Sequence, residues 1–150
     1  MARLRVCVVC LGNICRSPLG EAVLRERAAA NGLALDIDSA GTGGWHVGER
    51  PDSRSIAAGA RIGLDLTDQR ARQLNTQDLE EFDWILAMDR SNLQNIQRLG
   101  NGRARVELFL TDGGEVPDPY TGDDADFDTV VQMLIPAADR WIAVWKSSAP

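Results

Sequence analysis

The segment Cys10-Leu11-Gly12-Asn13-Ile14-Cys15-Arg16-Ser17-Pro18 holds the residue types and spacing that can do chemistry. It begins where a short apolar, β-branched run, Leu4–Cys10, ends. It finishes at Ser17-Pro18, which offers a helix N-cap followed by proline at the first helical position. A strand joined to a helix by so few residues lets successive backbone N–H groups converge in front of the helix. Such a nest, with the positive end of the helix dipole, suits a doubly charged tetrahedral oxyanion. Gly12 and Asn13 are types that tolerate the left-handed backbone a tight cradle needs. Cys10 faces the same electropositive point, which favours the thiolate and makes it a nucleophile at neutral pH. Arg16 supplies a planar fork able to grip two phosphoryl oxygens, a geometry Lys cannot copy. Ser17 can donate a hydrogen bond to the sulfur anion.

These residues need a frame. Leu4–Cys10 reads as a buried strand, and Leu19, Ala22 and Val23 start the apolar face of a helix closed by Asn31-Gly32. Residues 35–40 give a second strand, and 41–51 a loop holding Trp45 and His46. A helix over 52–62 stops at Gly63, and residues 84–88 form a third strand. Asp89 caps a helix with apolar positions Leu93, Ile96 and Leu99, and Val106, Leu108 and Leu110 alternate as a fourth strand. Residues 111–122 make a long loop rich in Gly, Pro and Asp. From Phe127 through Val130, Leu134, Ala138, Trp141 and Trp145 the apolar spacing is helical, and Pro136 predicts a kink or a split near Gln132. The order βαβαβαβα implies a parallel sheet with right-handed crossovers and helices on both faces. Such sheets bind ligands beyond the carboxyl ends of their strands, where Cys10 lies. With no repeat and no linker, residues 1–150 read as a single domain.

Composition narrows the function. The chain has 150 residues, 44% of them hydrophobic, and a net charge of −6. A chain of this length buries roughly 70% of its unfolded surface, enough for a core without disulfides or structural metal. No apolar run approaches the ~18 residues of a membrane-spanning helix, and the N-terminus lacks the long apolar region of a signal peptide. The expectation is a cytoplasmic protein with no membrane association. Residues 1–110 carry 14 basic and 14 acidic side chains, so the acidic excess lies wholly in the last 40 residues. Nothing resembles the basic stripe that nucleic acid requires. Of the 16 basic residues only Lys146 is lysine, which reads as compositional bias. Three cysteines clustered at positions 7, 10 and 15 are not a disulfide framework, and one histidine, His46, with no second cysteine pair does not build a four-ligand zinc site.

The loop matches the C-x5-R-[ST] signature of cysteine-dependent phosphatases, and with Gly12-Asn13, Cys15 and Ser17-Pro18 it resembles the low-molecular-weight protein tyrosine phosphatases. The likeness extends through Ser39-Ala40-Gly41-Thr42, Trp45-His46, Arg70-Ala71-Arg72-Gln73, Met88-Asp89 and Asp118-Pro119-Tyr120. It implies an α/β three-layer sandwich with a four-stranded parallel sheet of order 2-1-3-4. Carried over residue by residue, it makes Cys10 the nucleophile, Arg16 the clamp on the phosphoryl group and Asp118 the general acid and base. Leu11, Gly12, Asn13, Ile14, Cys15 and Ser17 become the phosphate loop, while Trp45 and Tyr120 flank a phosphotyrosine ring. Pro119 biases Asp118 to an extended conformation and Pro117 stiffens its approach. A cysteinyl-phosphate intermediate follows, with no metal or cofactor. The family also implies a reversible Cys10–Cys15 disulfide, against plain packing of Cys15. Its partners are phosphotyrosine proteins, a tyrosine kinase of the same cell among them, met by a monomeric enzyme.

Three features depart from that pattern, Pro136 in the last helix among them. Gln69 stands where much of the family has a histidine supporting the loop asparagine, and it retains the capacity to hydrogen-bond Asn13. Thr121 follows Tyr120, so the paired tyrosines of animal members are missing. Three competing functions differ in what they require. Phosphoarginine hydrolysis goes with a threonine at the position of Ile14. Thiol-dependent arsenate reduction needs further cysteines, and none follows Cys15. A phosphocarrier with a related cysteine loop lacks the loop arginine. Elsewhere bland readings serve: Cys7 as core, His46 as structural, Asp89 and Asn92 as helix-start residues, Trp84, Trp141 and Trp145 as core, and the acidic residues 123–128 as a helix N-terminal charge bias.

Overall fold

The computed structural model describes residues 3–147. Strand β1, Leu4–Cys10, lies in the middle of the sheet and is apolar on both faces. Val6, Val8 and Cys10 enter one core cluster while Cys7 and Val9 enter the other, as the two-residue period of a strand demands. Strand β1 pairs with β2 (Leu35–Gly41) on one side and with β3 (Trp84–Ala87) on the other, and β4 (Arg105–Leu108) pairs with β3. All pairings are parallel, and the order is β2-β1-β3-β4. The expected α/β sheet of order 2-1-3-4 is therefore what forms.

Helices α1 (Arg16–Ala30), α2 (Ser53–Arg61) and α5 (Asp124–Ser147) cover the face that takes Val6, Val8 and Cys10. The opposite face carries α3 (Asp78–Glu81) and α4 (Arg90–Leu99), packed over Cys7, Val9, Ile85 and Ala87. Helix α1 sits close on the sheet: a Cβ at Gly20 would come within 2.7 Å of Met88 Cε and 2.9 Å of Val8 Cγ1. Glycine at that position lets the helix start directly above the end of β1. Trp84, Trp141 and Trp145 cluster with ring centroids 5.1–6.2 Å apart, and Trp141 Nε1 donates to Phe109 O at 2.8 Å. Among the described residues no helix is long and apolar enough to cross a membrane.

Several local expectations are corrected. Helix α1 begins at Arg16 with Cys15 at its N-cap and no side-chain cap, because the Ser17 hydroxyl is engaged with Cys10 and Asn13 instead. Helix α3, a single turn, has no periodic signature and was not foreseen. Strand β4 ends at Leu108, leaving Leu110 buried in the following turn. Helix α5 is unbroken over 24 residues, so Pro136 does not split it near Gln132. Pro136 and Gln132 are both exposed, so the carbonyl that loses its donor faces water. Buried Leu134, Ala137, Ala138 and Trp141 hold both halves on one core.

The exposed proline costs helix stability without a packing return. Pro136→Ala is expected to stabilise the protein by about 1–3 kcal/mol, read as a higher urea midpoint; an unchanged or lower midpoint would contradict that account.

Candidate active site

Register sets the cradle. Cys10 pairs with Gly41 at the carboxyl ends of β1 and β2, and a Cβ at Gly41 would stand 2.8 Å from Leu11 O and 3.0 Å from Gly12 C. Only glycine lets the loop fold back over β2. The loop is then tied outward by its carbonyls. Cys10 O accepts from Thr42 N and Leu11 O from Gly43 N, both at 2.9 Å, while Ile14 O accepts from Asp52 N at 2.8 Å. Cys15 O accepts from Ser55 Oγ at 3.1 Å. In a planar trans peptide the N–H points opposite to the C=O, so the amides of Leu11, Gly12, Cys15 and Arg16 turn inward. Asn13 takes φ of 57°, the left-handed conformation that lets the chain curl round one centre.

Behind the loop the hydrogen bonds have a direction. Asn13 Nδ2 donates to Ser17 Oγ at 2.7 Å and to Ser39 Oγ at 3.0 Å, while Asn13 Oδ1 accepts from Arg72 N at 3.0 Å. Ser39 Oγ in turn donates to Glu21 Oε1 at 2.7 Å. Ser17 Oγ, which accepts from Asn13, lies 3.1 Å from Cys10 Sγ and has its one proton available for a sulfur anion there. Gln69 does not support Asn13: its Nε2 donates to Pro18 O at 3.0 Å, and the Arg72 amide takes the supporting place.

Arg16 is 2% exposed. Its Nη1 donates to Asp89 Oδ2 at 2.7 Å and to Val116 O at 2.9 Å, which fixes the guanidinium plane. Its Nη2 lies 3.9 Å from Asp118 Oδ2. Asp89 is therefore more than a helix-start residue: Oδ1 caps α4 through Asn92 N at 2.7 Å while Oδ2 holds Arg16. Sequence reasoning missed that second role, because spacing shows the cap but not the partner 73 residues away. Arg54 was missed as well. It is gripped by Asp52 through Nε at 3.0 Å and Nη2 at 2.9 Å, and it donates to Tyr120 O at 2.9 Å and Gly122 O at 3.0 Å. Its guanidinium also stacks over Phe127 at 4.5 Å, so α2 holds the loop that carries Asp118.

Cys10, Leu11, Gly12, Ile14, Cys15, Arg16, Trp45, Asp118 and Tyr120 line one cleft of about 180 Å³, and His46 joins them. Trp45 and Tyr120 stand at the mouth, 71% and 51% exposed. Asn13 and Ser17 do not line the cleft; they lie buried behind it. Cys7 points to the opposite face of the sheet. All three thiols are free, and burial pushes Cys7 well above its ordinary range and Cys15 up to about 12, Asp52 adding to the latter. Among the described residues no cluster of His, Cys, Asp and Glu could hold a metal ion.

A sequence model described as low molecular weight phosphotyrosine protein phosphatase matches residues 5–148. The chain belongs to that family. A Schizosaccharomyces pombe protein named low molecular weight phosphotyrosine protein phosphatase is 44% identical over 146 residues, covering 87% of this chain and 90% of that protein. The crystal structure of YfkJ from Bacillus subtilis superposes with a TM-score of 0.91 at 34% identity, covering 99% of both chains. That of a Drosophila arginine phosphatase gives 0.89 at 28% identity, covering 97% of this chain and 100% of that one. The same family fold thus carries members named for two phosphoryl substrates.

Two outcomes follow from this geometry. Iodoacetamide at pH 7 is expected to leave Cys7 and Cys15 unmodified in peptide mass maps, since both thiols are buried and held protonated; rapid labelling of either would contradict it. Asp52 caps α2 through Arg54 N at 2.8 Å, and the Arg54 side chain holds its carboxyl below the ordinary value. Its contribution is therefore complete above the unfolded carboxyl pKa of ~3.9 and lost as pH falls through the lower folded value. Asp52→Ala should cost about 1 kcal/mol near pH 7, with the gap to wild type closing below the unfolded value in urea titrations.

Proposed function

We propose that the chain hydrolyses phosphotyrosine in proteins through a cysteinyl-phosphate intermediate. The observation that carries the reading is the single cleft shared by the Cys10 sulfur, the Arg16 guanidinium and the Asp118 carboxyl. In the first step the Cys10 thiolate attacks phosphorus, the P–O bond to the phenol breaks, and Asp118 gives its proton to the leaving oxygen. In the second step Asp118 takes a proton from water, whose oxygen displaces the sulfur and releases inorganic phosphate. Inward-facing loop amides and the cleft-facing side of Arg16 meet the charge on the equatorial oxygens. Ser17 stabilises the sulfur anion as it attacks and as it leaves.

The depth of the site selects the substrate. Cys10 lies 3% exposed beneath a mouth flanked by Trp45 and Tyr120, a slot suited to a long flat side chain. Ile14, rather than threonine, and the aromatic Tyr120 favour the phenol ester over the P–N-linked phosphoguanidine. We further read residues 1–150 as one domain that works as a monomer in the cytoplasm, with a tyrosine kinase of the same cell among its substrates.

Cys10→Ser is expected to abolish turnover of an aryl phosphate while still capturing phosphotyrosine peptides. Asp118→Ala should slow turnover about 10²–10⁴-fold. Profiling the wild-type protein on phosphotyrosine, phosphoarginine and phosphoserine peptides is expected to favour the first. Preference for phosphoarginine, or stable phosphocysteine without release to water, would overturn the reading.

A further inference from the structure

A second depression of about 410 Å³ adjoins the cleft, between the turn that follows β2 and helix α4. The two share Leu11 and Trp45, so one continuous surface runs from the cleft mouth into the groove. Trp45 forms the divide. Its indole lies against Gly43, where a Cβ would collide with the six-membered ring. Beyond it the groove has an apolar floor of Leu11, Leu74 and Leu99, of which Leu11 and Leu99 are 41% and 36% exposed.

The groove has one charge, and it is positive. Arg98 is exposed in the last turn of α4 and donates to Asn95 Oδ1 at 3.2 Å. No residue lining the groove is acidic, and among the described residues Arg98 pairs with no carboxylate. A cation beside exposed leucines, continuous with a site for phosphotyrosine, fits an acidic and an apolar side chain on one extended strand. Such a strand advances about 3.3–3.6 Å per residue, so the positions next to the phosphotyrosine reach the groove first.

We propose that this groove binds the substrate polypeptide flanking the phosphotyrosine and selects an acidic residue there, through Arg98, beside an apolar one. This rests on the phosphotyrosine reading above. The preference belongs mainly to KM, because the groove is outside the reacting centre. Its size is that of an exposed charge pair, about three- to fivefold.

The test compares wild type with Arg98→Glu on two phosphotyrosine peptides that differ only in carrying Glu-Leu or Lys-Leu pairs on both flanks. Wild type is expected to favour the Glu peptide about three- to fivefold in kcat/KM, and the variant to invert the ratio in favour of the Lys peptide. A variant that is merely less well folded lowers both rates and leaves the ratio alone. An unchanged ratio, or a wild type that treats both peptides equally, overturns the groove. So does a concentration-dependent dimer that Arg98→Glu disperses, which would assign the surface to a second copy of the chain. Wild-type turnover of p-nitrophenyl phosphate separates the two levels. Its absence sinks the parent phosphatase reading, whereas normal turnover with no flank preference sinks the groove alone.

Discussion

Four carbonyl oxygens hold the 10–15 loop, and the candidate site depends on them. Those of Cys10 and Leu11 are taken by the turn after β2, and those of Ile14 and Cys15 by the start of α2. Each bond turns one peptide outward by its oxygen and so inward by the next amide. The inward amides are thus oriented by the fold itself, before any ligand arrives. Preorganised dipoles are effective in catalysis for that reason. The bonds also explain why distant stretches of sequence are needed: Gly41, Thr42, Gly43, Asp52 and Ser55 contribute nothing to the chemistry directly, yet they aim it.

A buried guanidinium imposes the second constraint. An unpaired charge at 2% exposure would cost several kcal/mol, and Asp89 with Val116 O offsets that cost for Arg16. The pairing joins the start of α1, the start of α4 and the approach to the Asp118 loop. Val116 N in turn donates to Met88 O at 2.9 Å, which stitches that loop to the end of β3. Arg54 secures the far side of the same loop through Tyr120 O and Gly122 O. Asp118 therefore sits between two anchored points while its side chain stays 46% exposed. That arrangement is suited to an acid that must meet a leaving group at the cleft mouth.

The parts of this architecture written in local sequence were legible. Leu4–Cys10 is a run too apolar and β-branched for anything but a central strand, and Cys10, Arg16 and Ser17 follow at fixed offsets within one loop. Parallel pairing followed from the alternation of strands and helices, and strand order from the resemblance alone. What escaped was decided by partners far away in the chain. Ser17 has the residue type and position of an N-cap, but a sulfur and an amide compete for its hydroxyl and win. Asp89 announces a cap and conceals a salt bridge. Gln69 stands where a loop support is expected, yet the Arg72 backbone reaches Asn13 and leaves Gln69 to Pro18 O. Pro136 breaks helices by local rules, and here a shared core on either side overrides them.

Net charge would have argued against an anion site. The chain carries −6, and its acidic excess lies in the same C-terminal third as Asp118. The site resolves this by working at short range. Backbone amides, the start of α1 and a guanidinium with its plane fixed all face one cleft and would act there at hydrogen-bonding range. Charges on the surface beyond act through solvent, where fields fade over about a Debye length of 8–10 Å. Whole-chain charge therefore governs solubility and approach, while the orientation of a few peptide groups decides what is held. The same reasoning gives the flanking groove its modest weight: Arg98 is solvated, so it can sort approaching chains by charge without competing with the cleft for the phosphoryl group.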